Sequence, residues 1–446
     1  MKRVLRIPAY RRLLAAYALN ELAWSVGTLA LAVLVYRRTG SVIGSSAFFL
    51  CSQFIPALIS PAVVARIDQR EPRRVLPVLY ALEGVLFLLL AWAASRFSLA
   101  LVLGLAMVDG VFAVSARALS RAATVEVLTP ASLLREGNAL TNAAFSVCFM
   151  AGPAMGGAVV AAGGTIAALL INGGLFAAIA LILVTAGGLP GAARTRMPVA
   201  GRLRAAVAHA MHDPAVRALL SMQAAAMVFF TITIPVEVVF AQQSLHAGAA
   251  GYGALLSAWG VGAVGGSAAY ARWHAAPARV LIAGGAAALA IGFAVMALAP
   301  TLLVAAIGSS VGGAGNGIES VAARTTVQEQ TPDRWMALVM SLNESITQAA
   351  PGVGIVLGGL IAALTGPRVA FAVAGAGSLA ITALVWVVLA PRALVPAEAG
   401  AGLPGEAPRA DAIPADTADA PPGDRPGDSD RSGNLTAGVS KPRTLA

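Results

Sequence analysis

The sequence predicts an all-α membrane protein of about twelve transmembrane helices, arranged as two pseudo-symmetric six-helix bundles. Three observations predict it. Of 446 residues, 58% are hydrophobic and only 12% charged, where a soluble domain carries about 25% charged residues. The apolar residues gather into runs long enough to cross a bilayer core of about 30 Å, which takes roughly 20 helical residues. Short phrases of the first half also return, in order, in the second half.

Unpaired backbone cannot face lipid, and the runs are too long for barrel strands, so each is a helix. The first, 13–36, is too long for a cleaved signal peptide, and no small-residue cleavage site follows it before the next span. It carries Glu21 towards the midplane, where a carboxyl can load and release a proton. The second, 42–65, ends in a basic loop, and the third, 75–95, holds Glu83. The fourth, 98–120, holds Asp109 near its middle. In the fifth, 138–162, Asn138, Asn142 and Ser146 fall on one helical face. Gly152 and Pro153 are expected to bend it. The sixth, 165–187, closes the first half.

Residues 188–216 read as a cytoplasmic middle loop, after which runs resume at 217–240, 252–271, 279–299, 301–323, 337–364 and 369–390. Glu237 is placed near the outer end of the seventh. Asn316 lies in the tenth at the position that answers Asp109. In the eleventh, Ser341, Glu344 and Gln348 share a face and answer the polar stripe of the fifth. The two stripes are expected to line a shared aqueous cavity, with interhelical hydrogen bonding as the alternative. Pro351, with Gly352 and Gly354, is expected to bend this helix. From 391 to 446 the composition turns to Pro, Gly, Ala and Asp, too poor in bulky apolar residues to order itself, and reads as a disordered cytoplasmic tail.

Basic residues orient the chain. They crowd the N-terminus (Lys2, Arg3, Arg6, Arg11, Arg12), the loop after the second run (Arg66, Arg70, Arg73, Arg74) and the middle loop, and they thin out in the alternate loops. Both termini are therefore expected in the cytoplasm, with the plasma membrane as the location. The same placement accounts for the net charge of +10 without nucleic acid. No cofactor or metal is expected. Cys51 and Cys148 lie in apolar runs with no metal-ligand spacing. Gly308-x-Ser310-x-Gly312 sits inside an apolar run, with no His in any span to activate Ser310, so an enzyme is not expected.

The recurrences establish the halves. Gly110, Val114, Ala116 and Arg117 are answered by Gly317, Val321, Ala323 and Arg324. "PAYRRLL" at 8–14 is answered by "PAVRALL" at 214–220, and Gly156-Gly157 by Gly358-Gly359. Internal repeats of this kind are a recurrent plan of secondary transporters.

Here the chain resembles the major facilitator superfamily, over some nine-tenths of its length. "SPAVVARIDQREPRRVL", after the second run, is similar to that superfamily's Gly-x-x-x-Asp-Arg-x-x-Arg-Arg signature. Asp68 and Arg73 match it, with Val64, Gln69 and Pro72 departing from it. "AGPAMGG" at 151–157 resembles the Gly-Pro-x-x-Gly segment of its proton-coupled exporters, although Ala139 and Cys148 replace more distant glycines of that motif. "QEQTPDRWMALVMSL" at 328–342 resembles the drug and siderophore exporter branch. The resemblance implies export of a small amphipathic molecule by alternating access, in exchange for protons, by a monomer in the lipid bilayer. Depth in their spans makes Glu21 and Asp109 the proton-coupling candidates, with contact to a cationic substrate as the alternative for Asp109. Glu21 resembles the membrane-embedded acids in helix 1 of that superfamily's multidrug exporters. The resemblance gives Asp68 and Arg73 a gating role, and Arg117 and Arg324 would complete that cytoplasmic latch. The alternative is a proton-coupled uptake permease of the same fold.

Overall fold

The computed structural model describes residues 3–67, 72–185, 214–273, 276–329 and 333–388. Every regular element among them is helical. The middle loop is almost wholly outside these residues, as are Asp68 and the C-terminal tail.

Helix α1 spans Pro8–Thr39. It begins on a proline, whose missing N–H costs nothing at a helix start. It ends at Gly40, whose φ of 61° is the left-handed conformation that glycine adopts most cheaply. Next come α2 (Val42–Phe49) and α3 (Ile55–Ile67), joined by a π-helical turn at Leu50–Phe54. Helix α4 (Pro72–Arg96) and α5 (Leu99–Leu128) follow. The fourth apolar run ends near 120, yet α5 continues to Leu128, because the Arg and Glu residues there are good helix formers once lipid no longer restricts composition. Helix α6 covers Leu134–Val184 with one break at Gly164, φ 79° and ψ 173°. That break falls in the gap between the fifth and sixth runs.

The seventh run is interrupted. Helix α7 (Pro214–Thr231) stops and α8 (Ile234–Val239) restarts on Pro235, followed by a π turn at Phe240–Ser244. Thr231 and Thr233 donate their hydroxyls to the carbonyls of Met227 and Phe230, both at 2.8 Å, satisfying acceptors near the break. The remaining helices are α9 (Gly248–Trp273), α10 (Ala278–Leu298), α11 (Leu302–Glu329), α12 (Asp333–Thr365) and α13 (Pro367–Val388). Arg368 donates to the carbonyls of Ala297 and Ala299, at 2.8 and 2.7 Å, and so closes the C-terminus of α10.

Among the described residues, eight helices are long and apolar enough to cross a membrane, the broken α6 counting once. Helices α9 and α11 are long, but glycine and polar residues dilute them.

Packing follows the small residues. Helix α6 lies on α1 and α4, and α5 on α3 and α4; α11 lies between α9 and α10, while α13 packs on α7 and α10. Between these groups, α6 meets α9 and α2 meets α12. A β-carbon on Gly157 of α6 would stand 2.7 Å from the Ala249 carbonyl oxygen and 3.2 Å from Gly253 Cα of α9. Such closeness replaces the missing hydrophobic drive between helices in lipid. Ser257 of α9 adds a hydrogen bond, accepting from the Ala154 N–H at 2.9 Å.

Candidate functional site

A cavity of about 430 Å³ opens between α1, the first π turn, α4 and α5. Helical spacing builds each wall. Asn20, Trp24, Thr28 and Leu31 face it from α1, and Glu83 and Phe87 from α4. From α5, Asp109, Ala113, Arg117 and Arg121 come at intervals of four residues, so one stripe carries an acid at one end and two guanidinium groups at the other. The π turn aims Ser52 and Gln53 inward. It approaches α5 closely enough that a β-carbon on Gly110 would lie 2.5 Å from the Ser52 carbonyl.

The lining is polar and under-satisfied. Glu83 is 0% exposed and Asn20 2%. Both Glu83 carboxylate oxygens, Asp109 Oδ1, Asn20 Nδ2 and Ser52 Oγ are buried without a hydrogen-bond partner among the described residues. Buried polar groups in proteins are overwhelmingly paired, and these five atoms gather on one cavity. Arg117 acts electrostatically on both Glu83 and Asp109. Its guanidinium stands over the Trp24 ring, 5.5 Å from the centroid, in cation–π range.

The sequence-derived candidates distribute as follows. Asp109 and Arg117, expected in separate roles, meet on this cavity. Glu21 is buried on α1 beside Asn20, does not border the cavity, and lies within electrostatic reach of Arg117 and Arg121. Asn138 borders a separate space of about 220 Å³ with Tyr10, Tyr17 and Arg121. Asn142 is exposed and Ser146 half-buried, and neither borders these cavities. Asn316 is half-buried on α11, and Arg324 is exposed near the end of that helix. Arg73 is exposed in the first turn of α4. Ser341, Glu344 and Gln348 belong to α12, but their side chains lie outside the described residues, as does Asp68. Pro153 and Pro351 are inside α6 and α12, with Gly152 buried against Ser25 of α1.

The cavity is also lined by Glu83, Asn20, Thr28, Ser52, Gln53 and Arg121, none of them among the sequence-derived site candidates. For Glu83 a signal was present. Leu76, Tyr80, Glu83, Phe87 and Leu90 alternate at four- and three-residue steps and are all buried. The acid therefore belongs to the inward stripe of α4. Glu237, expected near the outer end of its run, is 7% exposed and lines a second, aromatic chamber that shares Trp24, Thr28 and Gln53 with the first.

The sequence model of the Major Facilitator Superfamily matches residues 13–348 and 219–419. Comparison with curated proteins finds no match by sequence. Among solved structures, the nucleoside transporter NupG superposes with a TM-score of 0.69 and 14% identity, over 86% of this chain and 99% of that one. A bacterial homologue of the iron transporter ferroportin, in its inward-facing state, gives 0.68 and 14%, over 86% and 98%. A D-xylose-proton symporter gives 0.59 and 15%, over 86% and 96%. At such identities the likeness is one of fold.

Proposed function

The chain belongs to the Major Facilitator Superfamily, and on that premise we propose that it exports a small amphipathic molecule, such as a drug, secondary metabolite or siderophore, in exchange for protons. As a member of that superfamily it is a multi-pass membrane transporter of a small molecule rather than an enzyme. The finer reading adds alternating access of two six-helix halves, 1–187 and 217–390, joined through 188–216, in a monomer of the plasma membrane with both termini cytoplasmic.

The observation that carries the coupling is Glu83, fully buried with both carboxylate oxygens unpaired, on the same cavity as Asp109. A carboxylate in that position is costly while empty. A proton or a cationic group completes it, and exchange between the two is antiport. Glu21 is retained as a further proton candidate through its reach to Arg117.

Export is supported by the Gly-Pro-x-x-Gly resemblance together with the packing of that segment. Gly152 and Gly156 lie against Ser25 and Val26 of α1, and Gly157 against α9. The motif is thus a contact surface between α1, α6 and α9. Asn138, Asn142, Ser146, Asn316, Ser341, Glu344 and Gln348 are proposed to line the substrate path. Asp68, Arg73 and Arg324 are proposed to latch the cytoplasmic side, with Arg117 shared between latch and cavity.

The test is accumulation of cationic dyes, antibiotics and siderophores in expressing cells, with and without a protonophore. Export lowers accumulation, and the protonophore restores it. Raised accumulation would replace this reading with the uptake permease.

A further inference from the structure

We propose that the second chamber, around Glu237, binds a small organic monocation through an aromatic wall and a single carboxylate. This rests on the transporter reading above and assigns its substrate a charge. The chamber holds about 160 Å³ and is walled by Trp24, Phe49, Phe149, Phe230, Tyr252 and Trp259. Phe230 and Trp259 are stacked with centroids 5.4 Å apart, and Trp259 continues onto Phe293 at 5.9 Å, so these rings brace one another in an aromatic wall.

Within that wall Glu237 is the one acid, and no Lys, Arg or His borders the chamber among the described residues. Tyr252 stands within electrostatic reach of it. The chain interruption between α7 and α8 brings Thr233 and Glu237 to the chamber together, one helical turn apart. Broken helices of this kind are where transporters place ligand-contacting groups.

The chemistry narrows the ligand. An anion meets a carboxylate and the negative faces of the rings. A neutral apolar molecule fills the space but leaves Glu237 uncompensated in an apolar wall. A cation completes the carboxylate and sets its charge against ring faces at the same time. One acid and a small volume favour a single charge on a compact body, such as a quaternary ammonium bearing one aromatic ring.

The experiment uses the purified full-length protein in lipid nanodiscs, titrated calorimetrically with benzyltrimethylammonium and separately with its uncharged carbon isostere, neopentylbenzene. The cation is expected to bind, and Glu237→Gln to weaken it by about tenfold or more. Trp259→Leu is expected to weaken it by about threefold or more through loss of an aromatic side chain from the wall. Weak binding of the isostere should be the same in wild type and Glu237→Gln, which shows that the variant keeps the chamber. Equal cation affinity in wild type and Glu237→Gln, or an isostere that binds as tightly as the cation, would overturn the assignment. Flux through the same preparation separates the two readings. Cation binding without flux keeps the chamber assignment and removes the export reading. Coupled flux of another substrate without cation binding does the reverse.

Discussion

Replacing Glu83 by leucine should stabilise the protein while abolishing coupled transport. The side chain is 0% exposed and both of its oxygens lack partners. A buried polar group left unpaired costs about 1–3 kcal/mol. Leucine has similar volume and no polar atom, so removing the orphan oxygens should return about 1–3 kcal/mol, from which a packing mismatch usually below about 1.5 kcal/mol is subtracted. Thermal unfolding in detergent, followed by tryptophan fluorescence, would then show a raised midpoint for Glu83→Leu. Protonophore-sensitive export in cells with equal surface expression would be lost. Glu83→Gln should lose coupling as well, without the gain in stability, because it keeps two polar atoms in the same place. A lowered midpoint for Glu83→Leu would mean that the carboxylate is paired in the resting protein. Unchanged coupled export would mean that Glu83 takes no part in it. Either result refutes the reasoning from orphaned atoms.

Four further outcomes follow from the same geometry. Asp109→Asn should abolish proton-driven export while substrate exchange in the absence of a gradient persists, measured as counterflow in proteoliposomes. Glu21→Gln should keep surface expression but lose proton-driven transport, and normal coupled flux in that variant would remove Glu21 from the mechanism. Gly157→Val places a branched side chain where a single β-carbon already stands 2.7 Å from Ala249. It should cost about 1–3 kcal/mol of stability and slow flux, because α6 and α9 must part. Arg368→Ala removes two hydrogen bonds to the end of α10 and should lower the thermal midpoint by an amount worth about 1–3 kcal/mol, leaving substrate affinity unchanged.

Much of this architecture is legible in the sequence, because lipid makes the rule simple. A run of about 20 apolar residues must be a helix. Even the glycine break of α6 falls in the two-residue gap between adjacent runs. What composition does not register is interruption inside a run. The stop at Ile232–Thr233 sits in a stretch whose hydropathy is unbroken, although Pro235 marks it. The site was legible in part. Asp109 was found because an acid at mid-run is expensive wherever it occurs. Glu83 met the same criterion, and its place in the buried stripe of α4 supports it. Asn20, Ser52 and Gln53 carry no charge and gave no such signal. Their role depends on a π turn and on the approach of Gly110, which are properties of packing rather than of local sequence. Arg117 shows the complementary case. Its recurrence as Arg324 was visible, but its position over Trp24 required the fold.

The central claim is that protons enter through the Glu83–Asp109 cavity as substrate is exported. Its most direct measurement is the internal pH of proteoliposomes carrying a trapped pH-sensitive dye, upon addition of a substrate found in the accumulation screen. The account predicts a substrate-dependent pH change of opposite sign to substrate movement, present in wild type and absent in Glu83→Gln and Asp109→Asn. Substrate flux with no accompanying pH change, or an equal pH change in both variants, would contradict it.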